Sequence, residues 1–269
     1  CLRFYRRWYA PNNATLVIVG DVDEADVLER VRDAYGGLRP ASIERGETPA
    51  APRLLKTRRK TLTKPTPTAK LLMGYRAPGM LDPDNTVLGV LRELLTGGLS
   101  GRLTRAMTRE DELASMVYAS AAPFREGTLF EIFADLRDGV SVAAAEARVE
   151  RELLRLVKEP VSKTELDKVR HQAELSFLTS METAAGKAEQ IGFYDSVLND
   201  PSEVFVRADA YRTMTPADVQ RVAQRLFDGR ARVVVEVQPA VKTASGKAKT
   251  KRAQAAARST TRTRRGELS

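Results

Sequence analysis

Strand-like and helix-like periodicities are segregated along this chain, and that segregation constrains the fold more than any single motif does. Between residues 59 and 137 the apolar residues come in short runs bounded by Gly, Pro or charge. RKTLTKPTP (59–67), AKLLMGYRAP (69–78), SMVYASAAP (115–123) and TLFEIFADLR (128–137) each read as a strand. Asp82 and Asp84 precede a helix over 85–95 that stops at Gly97-Gly98, and a second helix follows over 102–112. From Ser141 the spacing turns helical for most of 90 residues: about 141–157, then 164–178 with Ser162 or Thr164 as cap, 181–197 and 201–211. Thr215-Pro216 with Asp218 starts a last helix, by a capping hydroxyl, a proline at the first helical position and an acid in the first turn. ARVVVEVQP (231–239) closes the pattern as a strand. This arrangement predicts an α+β domain over 57–240, an antiparallel or mixed sheet backed by helices.

The first 37 residues do not fit that domain. Residues 1–9 have helical spacing, and Pro11 and Asn12 stop it. ATLVIVGD (14–21) is apolar and β-branched and reads as a buried strand. Asp23 caps a helix whose inward stripe is Ala25, Val27, Leu28 and Val31, ended by Gly36-Gly37. A strand and two helices are too little for a core, so this piece is expected to complete a sheet whose other strands lie elsewhere. The chain opens on Cys1 with no basic and apolar leader, and its start is expected to be internal to a longer protein. Residues 38–56, with Pro40, Gly46, Pro49 and Pro52, read as a linker.

The net charge of +9 is concentrated at one end. Residues 241–269 hold nine Lys and Arg against one Glu, while residues 1–240 hold 35 basic and 34 acidic side chains. The folded body is near neutral, so weak binding of nucleic acid or an acidic surface would rest on the tail. The tail lacks aromatics to stack on bases and is expected to be disordered. One cysteine excludes an internal disulfide and any cysteine-based metal cluster. No apolar run approaches the roughly 20 residues of a membrane span. A compartment is not fixed: cytoplasm and periplasm both suit the composition.

Each chemical motif is incomplete. His171 is the sole imidazole, with Glu174 three residues on, so a zinc site here would lack ligands. Ser100 sits in GGLSG, where a nucleophile elbow would need glycine at the place of Arg102, and only His171 offers an imidazole base. The same glycines follow a helix rather than a strand and match neither phosphate-loop pattern. Arg102 and Arg105 could meet an anion at the helix start. Gly97, Gly98 and Gly101 read instead as a tight reversal between two helices. Glu110-Asp111-Glu112 and the set Glu146, Glu150 and Glu152 read as solvated helix faces rather than general acids. No catalytic, cofactor-binding or metal residue is assigned.

The order of segments carries a resemblance. FYRRWYAPNNATLVIVGDVD, a proline-rich linker, a strand ending GYRAP, then DPDNTVLGVLRELLTGGLSGRLTRAMTREDELASMVYA, MTPADVQRVAQRLF and RVVVEVQP follow one another as in the insulinase/pitrilysin zinc metallopeptidases and their non-catalytic relatives. That resemblance covers nearly all of residues 1–240. It implies that 1–37 is the end of a first peptidase-like domain, 57–240 the second, inactive-type domain, and 241–269 an appended tail. The inverted zinc motif H-x-x-E-H belongs to the first domain and occurs nowhere here. Zinc is therefore implied only for a full-length parent or a partner, and this chain is expected to cleave nothing alone. The resemblance further implies a clamshell of two units, the partner being a second peptidase-like unit or a preceding segment, with peptide bound only in the assembly. A structural core subunit of a larger complex is the alternative. Non-zinc units of the family supply an arginine and a tyrosine seven apart; Thr108 and Ser115 stand at those positions, with Arg109 one residue off and Tyr118 three off.

Overall fold

A computed structural model describes residues 1–44, 46, 54–229 and 231–240. The expected tail (241–269) and part of the expected linker lie outside these residues. Five strands form one mixed sheet: β1 (Arg58–Lys64), β2 (Lys70–Pro78), β3 (Ala114–Ala121), β4 (Gly127–Leu136) and β5 (Val233–Pro239), in the order β1-β5-β2-β4-β3. The β2–β4, β3–β4 and β2–β5 pairs are antiparallel, and β1–β5 is parallel. The last strand is thus inserted between the first two, which locks the C-terminal helices onto the sheet.

The helices are α1 (Leu2–Trp8), α2 (Glu24–Tyr35), α3 (Asn85–Thr96), α4 (Arg102–Arg105), α5 (Val142–Lys158), α6 (Lys163–Ser180), α7 (Ala184–Leu198), α8 (Glu203–Thr213) and α9 (Pro216–Phe227). Period-two alternation puts Leu71, Met73 and Tyr75 of β2 on the same face as Phe130, Ile132 and Ala134 of β4 and Val117 and Ala119 of β3, all buried. Against that face pack Val87, Leu91, Leu94 and Leu95 of α3, Val149 and Leu153 of α5, and Val222 and Leu226 of α9. Phe227 meets Tyr75 edge-on at 5.0 Å and Phe130 at 5.6 Å. The capping signals act as expected at Ser162 and Thr215, both in reciprocal capping boxes. Asp84 behaves differently. It caps nothing and instead, buried, accepts from Arg221 (2.8 Å) and Arg225 (2.6 Å) of α9, tying the start of α3 to the last helix.

Residues 14–21 form no ladder among the described residues, so the strand expected there has no sheet to join within them. One expectation is corrected. The helix expected over 102–112 is four α-helical residues followed by a wide π turn, Ala106–Glu110. In residues 1–37 only Ala10 is buried. Phe4 and Tyr5 of α1, Tyr9 just after it, Leu16, Ile18 and Val22 of the connecting stretch, and Leu28 and Tyr35 of α2 are all exposed.

Candidate functional site

The glycine-bounded turn is built backbone on backbone. A Cβ on Gly97 would lie 2.4 Å from Glu93 O, and one on Gly101 2.8 Å from Leu95 O and Gly97 N. Gly98 has φ +54, the left-handed region that favours glycine. Arg102, buried behind this turn, donates a fork to Glu165 of α6 at 3.0 and 2.8 Å. That guanidinium holds the Glu165 carboxyl down at about 2, overcoming the burial that pushes it up. Arg105 pairs with Glu110 at 2.9 Å. Both cations expected to meet an anion are thus occupied by carboxylates of the chain itself. The turn is a clamp between helices.

Ser100 gains a neighbour that its sequence context did not indicate: the Lys168 ammonium of α6 touches its hydroxyl. Both side chains are exposed. A serine–lysine pair used for acyl transfer needs a desolvated lysine and an oxyanion pocket. The neighbourhood of Ser100 supplies no desolvation for that lysine.

The Thr108 and Ser115 hydroxyls are committed locally. Thr108 Oγ1, in the π turn, donates back to Thr104 O of α4 at 2.6 Å, and Ser115 Oγ donates to Asp135 O at 3.2 Å, beside a register shift in β3. Arg109 is exposed, with no ion-pair partner among the described residues. Tyr118 is 46% exposed and stacks on Phe133 with ring centres 5.1 Å apart. Between them Glu112 adopts φ +49.

Glu110, Asp111 and Glu112 are exposed, as expected of a solvated face, but two acids of the second set are not. Glu146 and Glu152 are buried. Arg148, also buried, donates to Asp111 at 2.6 Å and pairs with Glu152 and Glu110. Glu146 takes Arg59 of β1 and Arg232, and Arg232 also meets Glu150. These are clasps between α5, the sheet and the turn after α4. No local sequence signal marks them, since Arg59 and Arg232 lie 87 and 86 residues from Glu146 and Arg148 lies 37 residues from Asp111.

The sheet has a second face. Leu62, Leu72, Phe133, Tyr118, Val235 and Val237 share it by register, opposite to the helix-covered side. They are half-buried or exposed rather than buried. Lys70 lies over the Phe133 ring at 5.9 Å and pairs with Asp135 at 2.7 Å. The described helices leave this face of the sheet uncovered.

His171 is exposed on α6, as is Glu174. Among the described residues no three His, Cys, Asp or Glu side chains stand together as a metal site, so the donor set does not fit the zinc of the resembled family. Among those residues, too, no helix is long and apolar enough to cross a membrane.

Comparison with known proteins bears on this reading. Zinc protease PqqE of Helicobacter pylori is 23% identical over 240 residues, covering 88% of this chain and 54% of that protein. An uncharacterized zinc protease of Streptomyces coelicolor is 25% identical over 237 residues, 85% of this chain and 50% of its own length. The chain thus spans about half the length of the curated relatives it matches. A solved protease from Helicobacter pylori superimposes with a TM-score of 0.82 at 23% identity, over 88% of this chain and 58% of that one. Residues 2–173 match the model of the peptidase M16 inactive domain, and the chain belongs to that family.

Proposed function

We propose that this chain is the non-catalytic wall of an M16-type zinc endopeptidase, facing a zinc-bearing domain across a closed chamber. The observation that carries the reading is the sheet with one face sealed by α3, α5 and α9 and the other left open and apolar. Such a face suits a chamber lining, where an unfolded peptide is held by contact rather than by chemistry. The family match to an inactive domain, and relatives named zinc proteases, supply the context. Zinc and the general base then belong to the parent or partner domain. With Thr108 and Ser115 turned to their own backbone, this wall stabilises no charged intermediate. Its work is enclosure.

The same reading divides the chain. Residues 1–37 belong to the preceding catalytic-type domain, 38–56 link it to the rest, and 57–240 fold as the inactive domain. The exposed aromatic and aliphatic side chains of α1, the 14–22 stretch and α2 are the surface that the preceding domain would cover.

The test is reconstitution. The chain is purified alone and then mixed with an M16 domain that carries H-x-x-E-H. The expected result is no peptide cleavage by the chain alone and cleavage by the mixture. Stoichiometric zinc retained by the chain after dialysis, with turnover lost on His171→Ala, would refute the reading.

A further inference from the structure

The sheet ends in two edges, and they are treated differently. At β3 one outward group is taken by a helix: Ala119 N–H donates sideways to Thr96 Oγ1 of α3 at 3.1 Å. At β1 the strand is paired on one side only among the described residues. Arg58 N–H donates to Arg232 O and Lys64 O accepts from Ala240 N–H, so the even-numbered residues of β1 spend their backbone on β5. By the two-residue period of the ladder, the backbone groups of Thr61 and Thr63 point away from the sheet.

The side chains along this edge carry one sign. RRKTLTK has four cations and no acid. Arg59 faces the helix side, where Glu146 and Glu236 take it. Arg58, Lys60 and Lys64 lie on the opposite side with Val233 and Val235, and all three are exposed. Among the described residues none of the three has an ion-pair partner. They border the open apolar face, where Leu62 continues Val237.

Cations on an edge strand ordinarily guard against pairing. Here they repel a second copy of this same strand, and by the same Coulomb term they favour an incoming strand that is acidic. We infer that β1 is a docking edge for an extended peptide segment carrying acidic side chains at alternate positions. The segment would hydrogen-bond to the outward groups of Thr61 and Thr63 and set its carboxylates beside Arg58, Lys60 and Lys64. Its intervening side chains would fall beside Thr61 and Thr63, where threonine pairs well across strands. The inference stands on the edge itself and does not need the chamber or a catalytic partner.

The test uses the full chain and a short fluorescent peptide of alternating glutamate and threonine, read by anisotropy, with lysine–threonine and glutamine–threonine peptides as controls. The acidic peptide is expected to bind and the lysine peptide not to. The double variant Lys60→Glu, Lys64→Glu is expected to weaken the acidic peptide on the order of tenfold and to admit the lysine peptide. Thr61→Pro removes one outward N–H yet keeps every charge, the basic tail included, and an edge strand accepts proline; it is expected to lose the acidic peptide as well. Binding unchanged by Thr61→Pro in a chain of normal circular dichroism would mean that charge alone, or the tail, attracts the peptide, and would overturn the inference. Hydrogen exchange on the unmutated chain gives an independent readout. Thr61 and Thr63 amides are expected to slow on adding the acidic peptide, and unchanged exchange at saturating peptide would overturn it equally.

Discussion

At the scale of residues, two side chains show how local geometry is held against its own preferences. Glu112 sits at φ +49 with a carboxylate whose nearest cation, Arg137, is 3.8 Å away and exposed. Such a pair offsets little of the steric cost of a left-handed non-glycine residue. Glu112→Gly is therefore expected to stabilise the chain by about 0.5–1 kcal/mol, read as a higher urea midpoint at unchanged slope. Glu165 shows the opposite case, a group improved by folding. The Arg102 fork lowers its pKa from 4.5 to about 2, so the folded state binds this proton more weakly than the unfolded state does. Its contribution is fully present above about pH 4.5 and is lost as the pH falls toward 2. In Glu165→Gln that portion of the pH dependence should be missing. Parallel curves for both proteins between those pH values would show that the clamp is not coupled to the proton.

At the scale of elements, the joint between α4, the turn after it and α5 is electrostatic rather than greasy. Arg148 is buried against Asp111 and Glu152, and Glu152 also meets Arg155 at 3.2 Å. Removing the central cation leaves a buried carboxylate with one exposed partner. Arg148→Met is expected to cost about 3 kcal/mol in equilibrium unfolding, whereas Arg155→Met, at the solvent end, should cost under about 1 kcal/mol. Glu146 and Glu152 of α5, expected to be solvated, are buried, a difference that a charge run in sequence does not label, whereas Glu110 to Glu112 are exposed as expected. The partner arginine is 37 residues away from Asp111, and only the tertiary fold brings them together. The elements themselves were more legible. The short bounded apolar runs at β2 and β4, the capping hydroxyls of Ser162 and Thr215, and the glycine stop after α3 are local signals with local causes. ATLVIVGD forms no ladder among the described residues for the converse reason: a ladder is a property of two segments, and β-branched composition describes only one. The π turn at Ala106–Glu110 also escaped, since its apolar spacing is that of an ordinary helix.

At the scale of the whole molecule, one chain holds two levels of completeness. The sheet and its helices share a continuous buried cluster from Leu71 to Val234. Residues 1–37 bury only Ala10, touch the rest where Val17 approaches Gly192 of α7, and enclose with their aromatic side chains an open cavity of about 1030 Å³. Such a segment gains stability only when another body fills that space. The two levels should separate in hydrogen exchange. In the chain alone, the amides of residues 15–19, which have no ladder, are expected to exchange within seconds. Those of Met73, Ile132 and Val234 should open only with global unfolding. Joining the preceding H-x-x-E-H domain, in cis or as a separate chain, should slow residues 15–19 by orders of magnitude while leaving the sheet amides unchanged. Strong protection of that stretch in the isolated chain would mean that it already has a partner, with self-association the first cause to examine by dilution. Absence of protection in the joined protein would remove the division of the chain at residue 37 and, with it, the assignment of the 1–37 surface to a catalytic-type domain.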